Sequence, residues 1–227
     1  MQETLVLSLV NYQPNSIPWG ISRLVIGKYP FQKIPGLRFV KVLGCGKHGG
    51  FDLMPSFQKQ GLLCVFDSFE NAQSFIGSSP IIENYKQHAS EFFSVMLQTY
   101  SSRGSWSHQT LHVSQPIPVS GPIAGITRAS IKWMKAPSFW RKAPPAQDSL
   151  TQAPGCLLAA GLGEAPYLRQ ATFTMWESTQ AMESYARSGA HLQAIQTAYA
   201  GQFFSESMFS RFIPINPQGV WRGRHYG

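Results

Sequence analysis

The chain has 227 residues, of which 43% are hydrophobic and 13% charged, and its net charge is +8. That length buries a real core, and the composition excludes a disordered or fibrous chain. Three widely spaced cysteines (Cys45, Cys64 and Cys156) with no CxxC exclude a zinc ribbon or disulfide framework and fit a reduced, cytoplasmic setting, while no apolar run nears bilayer-spanning length.

Taken in order, Thr4–Val10 alternates as a strand, and Ile17–Gly27 follows as a helix carrying Trp19, Ile21, Leu24 and Val25. No basic segment precedes an apolar run at the N-terminus, so no signal peptide is expected. Gly36–Leu43 is a second strand, closed by Gly44-Cys45-Gly46, and Gly61–Asp67 a third. Ser68 then caps a helix, and Ser79-Pro80 restarts it with proline at the first helical position. The restarted helix runs through Phe93, and a strand at Val95–Tyr100 completes the unit. Gly104–Gln115 is a polar link.

The order then recurs. Ile123–Ile131 is a strand, Pro137–Ala143 starts a helix, and Pro154–Ala160 leads to Gly161-Leu162-Gly163. Strand Gln170–Trp176, a broken helix and strand Met208–Ile213 finish the chain. Sliding the chain by 110 positions (176 − 66) lays Phe66-Asp67-Ser68 on Trp176-Glu177-Ser178, Phe75 on Tyr185, and Ile81 on His191. Trp106 and Trp221 close the two units. The chain reads as an internal duplication: residues 1–103 and 121–227 are β-α-β-β-α-β repeats, joined by a linker at 104–120. Two such ferredoxin-like sheets pack face to face or close into one α+β barrel within the chain.

Several motifs point to chemistry. In Ser188-Gly189-Ala190-His191 the serine can cap a new helix, which places His191 in its first turn, with Ala194, Ile195 and Ala198 on the same face. The helix dipole there favours neutral imidazole, the metal-binding form. A core histidine with one hydrogen bond is the alternative at that spacing. Arg128 stands in a largely apolar strand, either at an edge facing water or buried and holding a carboxylate. Gly44-x-Gly46-x-x-Gly49 matches a dinucleotide pattern, but Pro55 and its neighbours open no helix, so it reads as a strand-to-strand turn over a pocket. The basic residues form no tract and the strands lack aromatic stacking platforms, which argues against nucleic acid. The positive charge suits an acidic electron donor or an anionic membrane surface.

The segments Thr127–Ile131, Phe139-Trp140, Ala160–Pro166, Gln170–Trp176, Ala186–Ile195 and Phe209–Phe212, with Phe39 to Phe51 in the first half, carry a resemblance to the spheroidene monooxygenase family. The resemblance implies a dimeric α+β barrel fold and a monooxygenase (ketolase or hydroxylase) that uses haem and dioxygen on an extended apolar substrate, a carotenoid. It implies His191 as axial haem ligand, Arg128 as propionate anchor or distal group, and Phe173, Trp176 and Tyr185 around the cofactor. An external electron donor follows, since no flavin or nicotinamide motif is present. Peripheral membrane contact and a homodimer are compatible. Two other readings stay open at this point: a non-catalytic haem or lipid carrier, and a haem-degrading or dehydratase-type barrel with a small substrate.

Overall fold

The computed structural model describes residues 2–46, 55–141, 150, 152–165, 168–187 and 202–227. The first repeat runs β1 (Thr4–Tyr12), α1 (Ile17–Ile26), β2 (Leu37–Gly46), β3 (Pro55–Phe66), α2 (Phe69–Ser78), α3 (Pro80–His88) and β4 (Ala89–Gly104). The second runs β5 (Ile123–Ile131), α4 (Ala136–Trp140), β6 (Cys156–Ala165), β7 (Arg169–Trp176), α5 (Thr179–Ala186) and β8 (Phe204–Trp221), followed by the short β9 (Arg224–Tyr226). The helix starts repeat as well. The Ser68 hydroxyl accepts from Asn71 N–H at 3.2 Å, and its counterpart Ser178 accepts from Ala181 N–H at 3.2 Å.

The strands join in the order β4-β1-β3-β2-β6-β7-β5-β8, and β8 pairs back onto β4, so eight strands close an antiparallel α+β barrel. Closure leaves no edge strand among the eight. The two seams are β4 with β8 and β2 with β6. At the second seam Gly44 faces Gly163 and Cys45 faces Leu162, so the two Gly-x-Gly segments meet each other. Gly44-Cys45-Gly46 therefore ends a strand and does not form the expected turn. Lys47–Gly50, the rest of that motif, lies outside the described residues. A second correction concerns α3, which stops at His88; Ala89–Phe93 already belongs to β4, where Phe93 points into the lumen.

The seams repeat down to single residues. Gly104-x-Trp106 at the end of β4 matches Gly219-x-Trp221 in β8. Each glycine has positive φ (+84° and +100°), and each tryptophan is buried in the lumen cluster. The tight turns beyond them match too: Ser107 and His108, then Arg222 and Gly223, all have positive φ, and Trp106 pairs with Gln109 as Trp221 pairs with Arg224. One tryptophan thus closes each end of the barrel. A methyl group added at Gly219 would sit 2.1 Å from the Phe92 carbonyl oxygen. Gly219→Ala should therefore lower stability by about 2 kcal/mol or more through backbone strain, read as a shift in the urea midpoint; an unchanged midpoint would show that the seam relaxes freely.

Candidate functional site

The lumen leaves no room for a large ligand. Leu5, Leu7, Leu9, Phe93, Phe173 and Phe212 interdigitate inside it, and the cavity beside Trp106 holds about 20 Å³, the space of one water.

The outer faces of the two half-barrels differ sharply. Because Thr4 faces Phe66 and Ile123 faces Trp176, the repeats superpose with Val6 on Gly125, Val10 on Ala129, Leu62 on Thr172 and Cys64 on Thr174. In the first half those bulky residues sit in a buried core beneath α1, α2 and α3. A polar clamp completes it: Tyr12 Oη donates to Gln60 Oε1 and Gln60 Nε2 donates to the Gly20 carbonyl, each at 2.7 Å. A side chain at Gly20 would collide with the Tyr12 ring, which shows how closely α1 lies on the sheet.

Among the described residues the second half lacks this filling. Gly125, Ala129, Gly161, Gly163, Thr172 and Thr174 give its outer face a floor of small side chains. Thr127, at the centre of that floor, is exposed, whereas every residue of β1 but Asn11 is buried. The helix after the first strand also shrinks, from ten residues in α1 to five in α4. Toward the Trp176 end a small cluster of Ile123, Leu150, Trp176, Met182 and Tyr185 packs under α5. There the Trp176 ring lies 5.4 Å from the Tyr185 ring, and its buried Nε1 has no acceptor among the described residues. At the opposite end the floor runs out past Ile131 into an open groove of about 630 Å³ beside Trp133 and Met134.

The residues expected to share one site are thus divided by the sheet. Trp176 and Tyr185 stand on the outer face, whereas Phe173 points into the lumen. His191 lies outside the described residues. Arg128 also points inward and is 2% exposed. Its Nη1 donates to Glu206, its Nη2 lies 3.5 Å from Glu164, and its guanidinium stacks 5.6 Å from the Trp106 ring. Lys41 Nζ completes the cluster, 2.7 Å from Glu164. Burial alone would raise the Glu206 pKa. Hydrogen bonds from His108 N–H, Ser105 and Arg128, with the Arg128 charge, outweigh it and bring the pKa to about 2. Burial likewise opposes ionisation of Glu164, and the hydrogen bond and charge of Lys41, with Trp106 and Arg128, overcome it and lower its pKa. Arg128 thus already has carboxylates to neutralise it, on the side of the sheet away from the open floor.

Sequence reading passed over the floor itself, and it took Arg211 only as part of the Phe209–Phe212 segment that carries the resemblance, with no role at the site. That arginine lies on the outer face of β8 opposite Gly125, 3.6 Å from Glu183 of α5. Laying β1 on β5 and β3 on β7 picks out Gly125, Ala129, Thr172 and Thr174, and the pairing of β5 with β8 then picks out Arg211. Among the described residues no group of three His, Cys, Asp or Glu side chains could hold a metal ion. The thiols of Cys45 and Cys64 are buried, and burial pushes the Cys45 pKa up to about 12, so neither is a ready thiolate. No described helix is long and apolar enough to cross a membrane.

No family model matches the chain. It is 50% identical over 225 residues to a spheroidene monooxygenase of Rubrivivax gelatinosus, covering 99% of this chain and 87% of that protein. It is 30% identical over 224 residues to a spheroidene monooxygenase of Rhodobacter capsulatus, covering 96% and 92%. Among solved structures, an aldoxime dehydratase in complex with butyraldoxime matches with a TM-score of 0.59 at 11% identity, covering 94% of this chain and 80% of that one, which speaks to the fold alone.

Proposed function

The chain belongs to the spheroidene monooxygenase family, and on that premise we propose that it oxygenates a carotenoid with haem and dioxygen on the outer face of the second half-barrel. The observation that carries the reading is the asymmetry between the repeats. One half fills the space above its sheet with Val6, Val10 and Leu62; the other withdraws to Gly125, Ala129 and Thr172 and leaves Thr127 exposed.

A flat, largely apolar group fits such a floor, and two further features favour one there. Trp176 offers a buried indole N–H without an acceptor, and Arg211 offers a cation at the rim. His191, a few positions beyond the end of α5 in the sequence, would be the residue that holds the iron, and it has no histidine counterpart in the first repeat. Haem iron, when bound, supplies the redox chemistry that lets dioxygen react. The chain's own residues hold and shield. Trp176 and Tyr185 wall the site on the α5 side, and the packed lumen keeps water from reaching it through the sheet. In balance, one oxygen atom enters the substrate and the other leaves as water. The two electrons come from a separate donor protein, since the sequence carries no flavin or nicotinamide motif, and the two protons come from solvent.

Absorption spectra with and without added haemin test this. The expected result is a Soret band at one haem per chain, with His191→Ala binding haemin more than about 100-fold more weakly. A Soret band of unchanged position and stoichiometry in that variant would remove His191 from the iron.

A further inference from the structure

We propose that the turn Lys132-Trp133-Met134-Lys135, between β5 and α4, seats the protein on an anionic bilayer. Trp133 and Met134 are each 75% exposed, and both line the groove of about 630 Å³ at the end of the open outer face. Two large apolar side chains held this far into water have no folding role, and their neighbours specify the partner. Lys132 and Arg169 border the same groove, its lining among the described residues includes no carboxylate, and the chain carries a net charge of +8. Tryptophan with lysines on both sides suits the level of lipid headgroups, where the ring meets the acyl boundary and the ammonium groups meet phosphate.

A second exposed apolar patch, Leu24, Val25 and Tyr29 on and after α1, follows β1 as Trp133 follows β5. β1 runs antiparallel to β5 around the barrel, so the two patches sit at opposite ends. One flat membrane takes one of them, and the basic groove beside the open floor favours Trp133.

The proposal does not depend on the haem assignment, and its test uses neither haemin nor substrate. The full chain is mixed with phosphatidylcholine vesicles containing phosphatidylglycerol and sedimented, and quenching of its fluorescence by brominated lipids is recorded. The expected result is binding that grows with phosphatidylglycerol and weakens as salt is raised. Trp133→Ser/Met134→Ser should bind at least about tenfold more weakly with loss of the quenching. Lys132→Gln should weaken binding about fivefold. Val25→Ser/Tyr29→Ser should bind like the parent. Absence of parent binding, or equal binding by the Trp133/Met134 variant, overturns the proposal and leaves the patch to a protein partner. Loss of binding in the α1 variant alone moves the contact to α1 and overturns it equally.

Discussion

Giving the open floor the side chains of its sister repeat, Ala129→Val with Thr172→Leu, should lower carotenoid conversion by about 100-fold or more while leaving the fold intact. Both replacements are residues that the first repeat carries at the same two positions, Val10 and Leu62, on the same strands in the same register. Valine favours extended backbone, and leucine already occupies the matching strand position in the first repeat. Both lie on the outer face, so the lumen and the seams are untouched. What changes is the space above the sheet, where two small residues become branched ones in the path of any ligand lying on the floor. Haemin titration separates the possible causes. If haem uptake falls with activity, the floor holds the cofactor; if uptake persists while conversion falls, the same floor holds the polyene. Full activity in a variant with an unchanged thermal midpoint would place the chemistry elsewhere.

That floor could not be read from the alternation that revealed the strands. Gly125 and Ala129 are unremarkable members of a half-buried strand until β1 is laid on β5, whereas the alignment that exposed the duplication was anchored on β3 and β7 and so paired only Leu62 with Thr172. The local elements were readable because their signals are local. Ser68 and Ser178 announce their helices, and Leu5, Leu7 and Leu9 announce a lumen face. The seams are another matter, because pairing between β2 and β6 joins residues more than a hundred positions apart, and nothing near Gly44 or Gly163 names the partner. A glycine pair in a strand therefore looked like a turn. The same limit applied to Arg128. Its charge in an apolar strand left two readings open, an edge facing water or burial against a carboxylate; the strand buries it, and its carboxylates, Glu164 and Glu206, lie on two other strands that no local signal names.

Arg128→Met decides between those two roles. In the repeat superposition Arg128 falls on Leu9, so an unbranched apolar side chain of similar reach suits the lumen. Removing the guanidinium leaves Glu206 and Glu164 facing one another across the barrel end with fewer donors. Breaking a buried pair on one side costs about 3–5 kcal/mol, and the lower half of that range is expected, because Ser105 and His108 N–H still serve Glu206 and Lys41 still serves Glu164. Adding Glu206→Gln should recover much of the loss, since the orphaned charge goes with it. The pH dependence supplies a second reading. The folded-state pKa of Glu206, about 2, is below the ordinary 4.5, so its ionised form stabilises the fold above about pH 4.5, and that contribution drains away as pH falls toward 2. Without Arg128 the depression shrinks, and this acid limb of the stability curve should flatten. An arginine that instead held a haem propionate would behave in the opposite way: Arg128→Met would keep its urea midpoint and its acid limb and lose haem affinity, and Glu206→Gln would rescue nothing.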